Sequence, residues 1–270
     1  MAISVRDLGN IDGPVAIYGG PYSNLQATQA MIARLDDLAP QTVICTGDLV
    51  AYCADPVETI AAVRSAGHIV VAGNCERQLA EGQEDCGCGF APGTTCDRLS
   101  AAWFAHANSA VNDHDRAWMA TLPDMVVFTQ MGTRTAVIHG GATDIARFIW
   151  STSPAPSFEE EVAAIKDAVG PIDRVMAGHS GFPFVRRVAG VEWINAGVIG
   201  MPPHDGARAV RFAILDPEPS IQSLDYDWSA ARDAMVAAGL TQGYHTALET
   251  GIWPSEDVLP QDLRKQPETA

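Results

Sequence analysis

Basic residues are scarce in this 270-residue chain: 17 Lys and Arg stand against 33 Asp and Glu, a formal charge of −16. Such an excess of negative charge repels nucleic-acid backbones and anionic membranes at long range, so nucleic acid is not expected as a large-surface partner. A small anionic substrate stays open, because a bound divalent cation can reverse the local field of a site inside an acidic protein. Long apolar runs are missing too. None approaches the roughly 20 residues needed to span a bilayer, and the opening MAISVRDLGNIDG has no basic segment leading into an apolar stretch. The expectation is a cytoplasmic protein with no membrane partner. Low-complexity tracts, internal repeats and an evident linker are likewise absent, while 47% of residues are hydrophobic and 19% charged. A packed core is therefore expected, in a single domain over residues 1–270.

What the chain does have is a series of short β-branched runs ending in Gly or a polar residue: PVAIYG, TVICTG, HIVVAG, TAVIHG and DRVMAG. These read as buried strands. Between the first three lie helical patterns, NLQATQAMIARLDDLA and DPVETIAAVRSAG, with apolar residues three and four apart and a Pro near the start of the second. Alternation of this kind predicts an α/β protein with parallel strands whose carboxyl-end loops carry ligands. Past residue 80 a loop-rich, Cys-containing stretch and the amphipathic DRLSAAWFAHANSAVNDHDRAWMATL suggest an insertion over about 80–122 with one or two helices. From residue 125 strand patterns dominate, with a turn at Met131-Gly132. Two sheets are expected, one parallel-rich and one more antiparallel, sharing a core and flanked by helices. After about residue 226 a helical segment and an acidic, Pro-containing tail form an extension.

Four strand-like runs end in a side chain of metal-ligand type: Asp48 in TGDLV, Asn74 in AGNCE, His139 in VIHGG and His179 in AGHSG. Any one of them alone has an ordinary structural explanation, as a cap, a turn residue or a polar strand end. Together they deliver an anionic oxygen, an amide oxygen and two imidazoles to one sheet edge, a mixed set suited to Mn, Fe or Zn.

In these motifs the chain resembles the calcineurin-like metallophosphoesterases, whose usual order is Asp-x-His, Gly-Asp, Gly-Asn, a single His and Gly-His-x-His. Gly47-Asp48, Gly73-Asn74, His139 and Gly178-His179 match four of the five in order. GDLVAYCADP and INAGVIGMPPHDGARAVRFAILD are similar to further segments of the small bacterial, phosphodiesterase-like branch, so the likeness covers roughly residues 14 to 216. It implies an α/β/β/α fold, a two-sheet β-sandwich core between helices. It also exposes departures. Gly20 stands for the family's first Asp, Tyr22 for the following His, and Gly181 for the last His. In the family those three, with the bridging Asp, hold one of two metals. Asp48, Asn74, His139 and His179 would hold the other, so one divalent ion is expected rather than two.

The activity implied is metal-dependent hydrolysis of a small phosphate ester or nucleotide-like phosphodiester, by direct attack of water on phosphorus, with Asp48, Asn74, His139 and His179 as the catalytic, metal-holding set. The alternative is a catalytically degenerate ligand-binding or regulatory protein on the same fold, which Gly20, Tyr22 and Gly181 favour. Cys75 takes the place where the family often has a proton-donating His. His204, in MPPHDG, reads as an exposed loop residue in preference to a proton donor. Tyr22 is expected to fill the vacated metal position or stack on a nucleobase. Arg147 divides evenly between a phosphate clamp and a surface ion pair.

All six cysteines lie in the first third of the chain: Cys45, Cys53, Cys75, Cys86, Cys88 and Cys96. A single Cys-Gly-Cys is not standard zinc spacing. Free thiols are the leading expectation, with a structural metal, or a disulfide from Cys86 or Cys88 to Cys96, as the alternatives. Cys53 and Cys75 follow the loops of Asp48 and Asn74, and both are expected near the active edge, where a thiol can sense oxidation.

Overall fold

The β-branched runs become strands buried on both faces. In a computed structural model, which describes residues 3–265, strand β1 (Val5–Asn10) is followed by β2 (Val15–Tyr18), α1 (Leu25–Leu38), β3 (Thr42–Cys45), α2 (Pro56–Ser65) and the short β4 (Ile69–Val70). The extreme ends of the expected 1–270 domain, residues 1–2 and 266–270, lie outside the described residues. Helices α3 (Asn74–Glu81), α4 (Thr95–Ala110) and α5 (Asp113–Met119) come next. A hairpin, β5 (Met125–Gln130) and β6 (Thr133–Ile138), leads through α6 (Ala155–Val169) to β7 (Arg174–Ala177). Two further hairpins, β8 (Phe184–Val188) with β9 (Val191–Asn195) and β10 (Val210–Leu215) with β11 (Pro219–Leu224), precede α7 (Trp228–Ala237) and α8 (Tyr244–Thr250).

Local chemistry accounts for many of these boundaries. Asn24 caps α1 by accepting from the Ala27 N–H at 3.0 Å, and Pro56 occupies the first turn of α2, where a missing N–H costs nothing. Met131 and Gly132 both have positive φ, 48° and 84°, the backbone of a two-residue hairpin turn whose twist matches the flanking strands. No helix among the described residues is long and apolar enough to cross a membrane.

Two sheets form, ordered β11-β10-β2-β3-β4 and β1-β5-β6-β7-β9-β8. Side chains alternate across each. Ile17, Ile44, Val126, Phe128, Val137, Met176 and Ile194 meet between the sheets. Their chain neighbours Tyr18, Cys45, Val127, Ile138 and Val175 face outward onto the helices. That period of two, with both faces apolar, makes these strands read as continuous hydrophobic runs. The arrangement is the expected α/β/β/α sandwich.

The expected split into a parallel-rich and an antiparallel sheet is not what forms. Both sheets are mixed: β2, β3 and β4 pair in parallel beside the antiparallel β10 and β11, while β1/β5, β6/β7 and β7/β9 are parallel in the other sheet. The reason is α6. Its helix over residues 155–169 carries the chain from β6 back to the start of β7, which a parallel pair requires. The active edge benefits, since β3, β4, β6 and β7 all point their carboxyl ends the same way within their sheets.

Candidate metal centre

Each of the four polar residues singled out in the sequence follows one of those parallel strands. Asp48 lies three residues past β3, Asn74 opens α3 just beyond β4, His139 follows β6 and His179 lies two residues past β7. The ends of the two sheets are tied together here, because His139 Nδ1–H donates to the carbonyl of Thr46 at 2.6 Å. Asp48 adopts φ +56°, a left-handed conformation that an Asp tolerates better than most side chains. Its position also depends on Gly73, where any Cβ would collide with the Asp48 carboxylate and backbone.

The hydrogen bond to Thr46 makes Nδ1 of His139 the protonated nitrogen, so in the neutral ring Nε2 presents a lone pair. That atom faces Asn74 Oδ1 at 3.0 Å, His179 Nδ1 at 2.9 Å and Asp48 Oδ2 at 3.4 Å. Asn74 is oriented by its own amide nitrogen, which donates to the Cys86 carbonyl at 2.7 Å, leaving Oδ1 to point at the histidine. Four atoms of metal-ligand type thus converge on one point. A cation between them satisfies all four, and the mixed oxygen and nitrogen set suits a borderline divalent ion.

All four residues are buried, and ligand atoms of Asp48, His139 and His179 lie within 4.8 Å of one another, the one such group among the described residues. The charge balance without an ion is tense. Burial would raise the Asp48 carboxyl, but His139 and then His179 outweigh it and hold it below the ordinary carboxylate range. Burial opposes the His139 imidazolium, yet the Asp48 carboxylate holds it above the usual value. Burial and the charge of His139 push His179 down to about 3.

Over residues 22–219, well over half of the chain, the sequence matches the family model described as the calcineurin-like phosphoesterase superfamily domain. The chain belongs to this superfamily. A curated relative, an uncharacterized protein of Methanocaldococcus jannaschii, is 21% identical over 242 residues, covering 82% of this chain and 91% of that one. The fold is also similar to a crystal structure of a metallophosphoesterase from Sphaerobacter thermophilus, with TM-score 0.69 and 19% identity over 90% of this chain and all of that one. A hypothetical protein of Pyrococcus horikoshii gives TM-score 0.72 and 16% identity over 88% and 98%.

Where this superfamily member departs from the two-metal pattern, the structure shows what fills the space. The Tyr22 ring lies on Gly20, so a Cβ at Gly20 would sit 2.5 Å from its Cζ. Tyr22 is only 5% exposed and packs edge-on against Tyr52 at 4.8 Å. Packing is thus its role in this structure. Gly181, at φ +74°, lies beneath Trp253 of the carboxy-terminal extension, 3.6 Å from where its Cβ would be.

Two expectations, on His204 and on the cysteine pairing, need correction, and for Arg147 the ion pair is the alternative that forms. His204 is buried, 3% exposed, and not a free loop residue: Nε2 meets Glu256 Oε1 at 2.7 Å and Nδ1 accepts from the Trp253 N–H at 2.8 Å. Arg147 pairs with Glu160 at 2.7 Å and with the fully buried Glu161 at 2.6 Å, so its guanidinium compensates a core carboxylate instead of standing free for phosphate. Cys86 and Cys88 are bonded to each other, with Cys96 free and hydrogen-bonded to Ser255. Cys75 lies at the active edge, its backbone N–H donating to Asp48 Oδ1 at 3.2 Å, while the Cys53 thiol meets the Gly200 carbonyl; both are buried, and burial pushes both thiols well above their ordinary range, which makes them poor nucleophiles.

Glu76 went unremarked in the sequence. Fully buried, it accepts from the backbone N–H groups of Asp48 at 2.7 Å, Leu49 at 2.8 Å and Gly73 at 2.8 Å. Its signal was available: an acidic residue three positions after Gly73, where helix α3 starts, is the second half of a capping box.

Proposed function

We propose that the protein is a metal-dependent phosphoesterase with a single divalent ion held by Asp48, Asn74, His139 and His179, acting on a small phosphate ester or a nucleotide-like phosphodiester. The convergence of four ligand-type atoms on one buried point carries this reading. Such an ion, of the Mn, Fe or Zn class, supplies Lewis acidity toward a phosphoryl oxygen and acidifies a water. The chain's own residues hold and orient. Thr46 fixes the His139 tautomer, Cys86 turns the Asn74 amide, and Glu76 pins the loop that presents Asp48. Direct attack on phosphorus fits the set, since the Cys75 thiol beside the centre is raised by burial and so is a weak nucleophile. We further propose a cytoplasmic protein of the small bacterial branch, a single functional unit in which the insertion over 80–122 and the extension after 226 enclose the site.

The decisive test pairs elemental analysis of the purified protein with turnover of bis(p-nitrophenyl) phosphate. Near-unit metal content, lost together with turnover in Asp48→Ala and His179→Ala, is the expected result. Full turnover by metal-free protein would sink the proposal. A second reading, a ligand-binding descendant without turnover, is favoured by the Tyr22 ring lying where the family places metal ligands. It predicts bound metal and phosphate affinity with no hydrolysis of any ester.

A further inference from the structure

The approach to the centre is walled by aromatic rings. A narrow pocket, about 40 Å³ within its walls and open at its mouth, runs outward from His179 and Ser180. Tyr22, Tyr52 and Tyr244 form one wall, with ring centroids 4.8 Å apart for the first pair and 4.4 Å for the second. Phe148, whose ring lies 4.3 Å from that of His179, forms another, and Trp253 a third. Among the described residues no tyrosine of the first wall stacks on Phe148 or Trp253, so the two walls are separate faces of the pocket.

Trp253 is held rigidly. Its indole N–H donates to the Pro202 carbonyl at 2.7 Å, and its backbone N–H donates to His204, itself anchored on Glu256. This gives the buried His204 a use: it clamps the extension so that the indole face is ready before any ligand arrives. Among the described residues no Lys, Arg, Asp or Glu lines the pocket, and the nearby Arg147 is engaged with Glu160 and Glu161. A second or third phosphate would lose its hydration there without a counter-ion. A flat uncharged ring would find faces to stack on.

We infer that this pocket is the subsite for a flat, uncharged aromatic group, aryl or nucleobase, borne by a phosphate ester with a single phosphate, and that Trp253 and Phe148 set the specificity for it. The inference rests on the phosphoesterase reading above, which places the phosphate at the Asp48, Asn74, His139 and His179 centre.

The test uses protein purified with its metal, titrated calorimetrically with inorganic phosphate, methyl phosphate and 1-naphthyl phosphate, alongside turnover of both esters. Naphthyl phosphate is expected to bind at least tenfold more tightly than methyl phosphate and to be displaced by inorganic phosphate. Trp253→Ala should erase that preference mainly through KM, and Trp253→Phe should restore it to within about threefold. Because Trp253→Ala can also loosen the extension, Phe148→Leu provides a second reading and should lower the preference severalfold with Trp253 in place. Equal affinity for the two esters, each competing with phosphate, overturns the subsite and leaves the phosphoesterase reading intact. Tighter binding of a nucleoside polyphosphate than of the matching monophosphate overturns the subsite as well. Naphthyl phosphate that binds equally well without metal, and is not displaced by phosphate, overturns both.

Discussion

Asn74 presents its carbonyl oxygen to His139 because its amide nitrogen is occupied by the carbonyl of Cys86, 2.7 Å away. The loop that supplies this carbonyl is closed by the bond between Cys86 and Cys88, and Cys88 Sγ lies 3.4 Å from the same nitrogen. Outer partners of this kind commonly change metal affinity ten- to a hundredfold when lost. Reducing the bond, or replacing both cysteines by Ser, should therefore weaken metal binding by about tenfold. Competition with a chromophoric chelator, with and without reductant, measures this; unchanged affinity would show that the loop holds its shape without the bond.

The Tyr22 ring on Gly20 sets up a second prediction. Gly20→Asp alone has to displace a buried aromatic ring and should cost more than about 3 kcal/mol of stability. Combining it with Tyr22→His vacates the space, so the pair should be less destabilised than the two single changes summed. Thermal melts of the four proteins test the coupling. Adding Gly181→His to the pair should raise metal content above one ion per chain.

Much of this candidate site was legible because its converging side chains end β-branched runs. Period-two burial in β3, β6 and β7 writes each strand as an apolar string, and Asp48, His139 and His179 interrupt those strings at the carboxyl end. What escaped reading depends on contacts between distant segments. Trp253 reaches Gly181 across 72 positions, and no local pattern marks it as a wall of the pocket. Arg147 gave no sign of its partner either, since Glu161 lies in α6, a helix the sequence reading passed over, and with it the crossover that makes β6 and β7 parallel.

Glu76 should be among the most sensitive positions for stability. Both its oxygens are committed, to the backbone N–H groups of three buried residues. Glu76→Ala orphans all three donors and should cost about 3–5 kcal/mol. Glu76→Gln is not a rescue, because an amide NH2 would face an N–H. Urea titration distinguishes these outcomes, and a Gln variant within about 1 kcal/mol of the wild type would show that the staple matters less than its geometry implies.

The depressed pKa of His179 makes a pH prediction for the metal-free protein. Its folded value is about 3 against an ordinary 6.5, so between those limits the unfolded chain binds a proton that the folded chain refuses. Stability linked to His179 is complete above pH 6.5 and falls as the pH drops, by roughly 3 kcal/mol on reaching pH 4. Glu76 pulls the other way, since burial and Asp48 raise it to about 7 and the folded state then gains a proton first as the pH falls. The informative quantity is thus the difference between wild type and His179→Asn, followed by chemical denaturation from pH 7 to pH 4. The variant carries no titrating ring, so the wild type should lose stability relative to it steadily as the solution is acidified. Adding metal should flatten that loss at the upper end of the range, where the ion displaces the proton from the histidines. A constant difference across the range would mean that His179 takes up its proton in the folded state without cost, and that the buried ring is not held neutral by its surroundings.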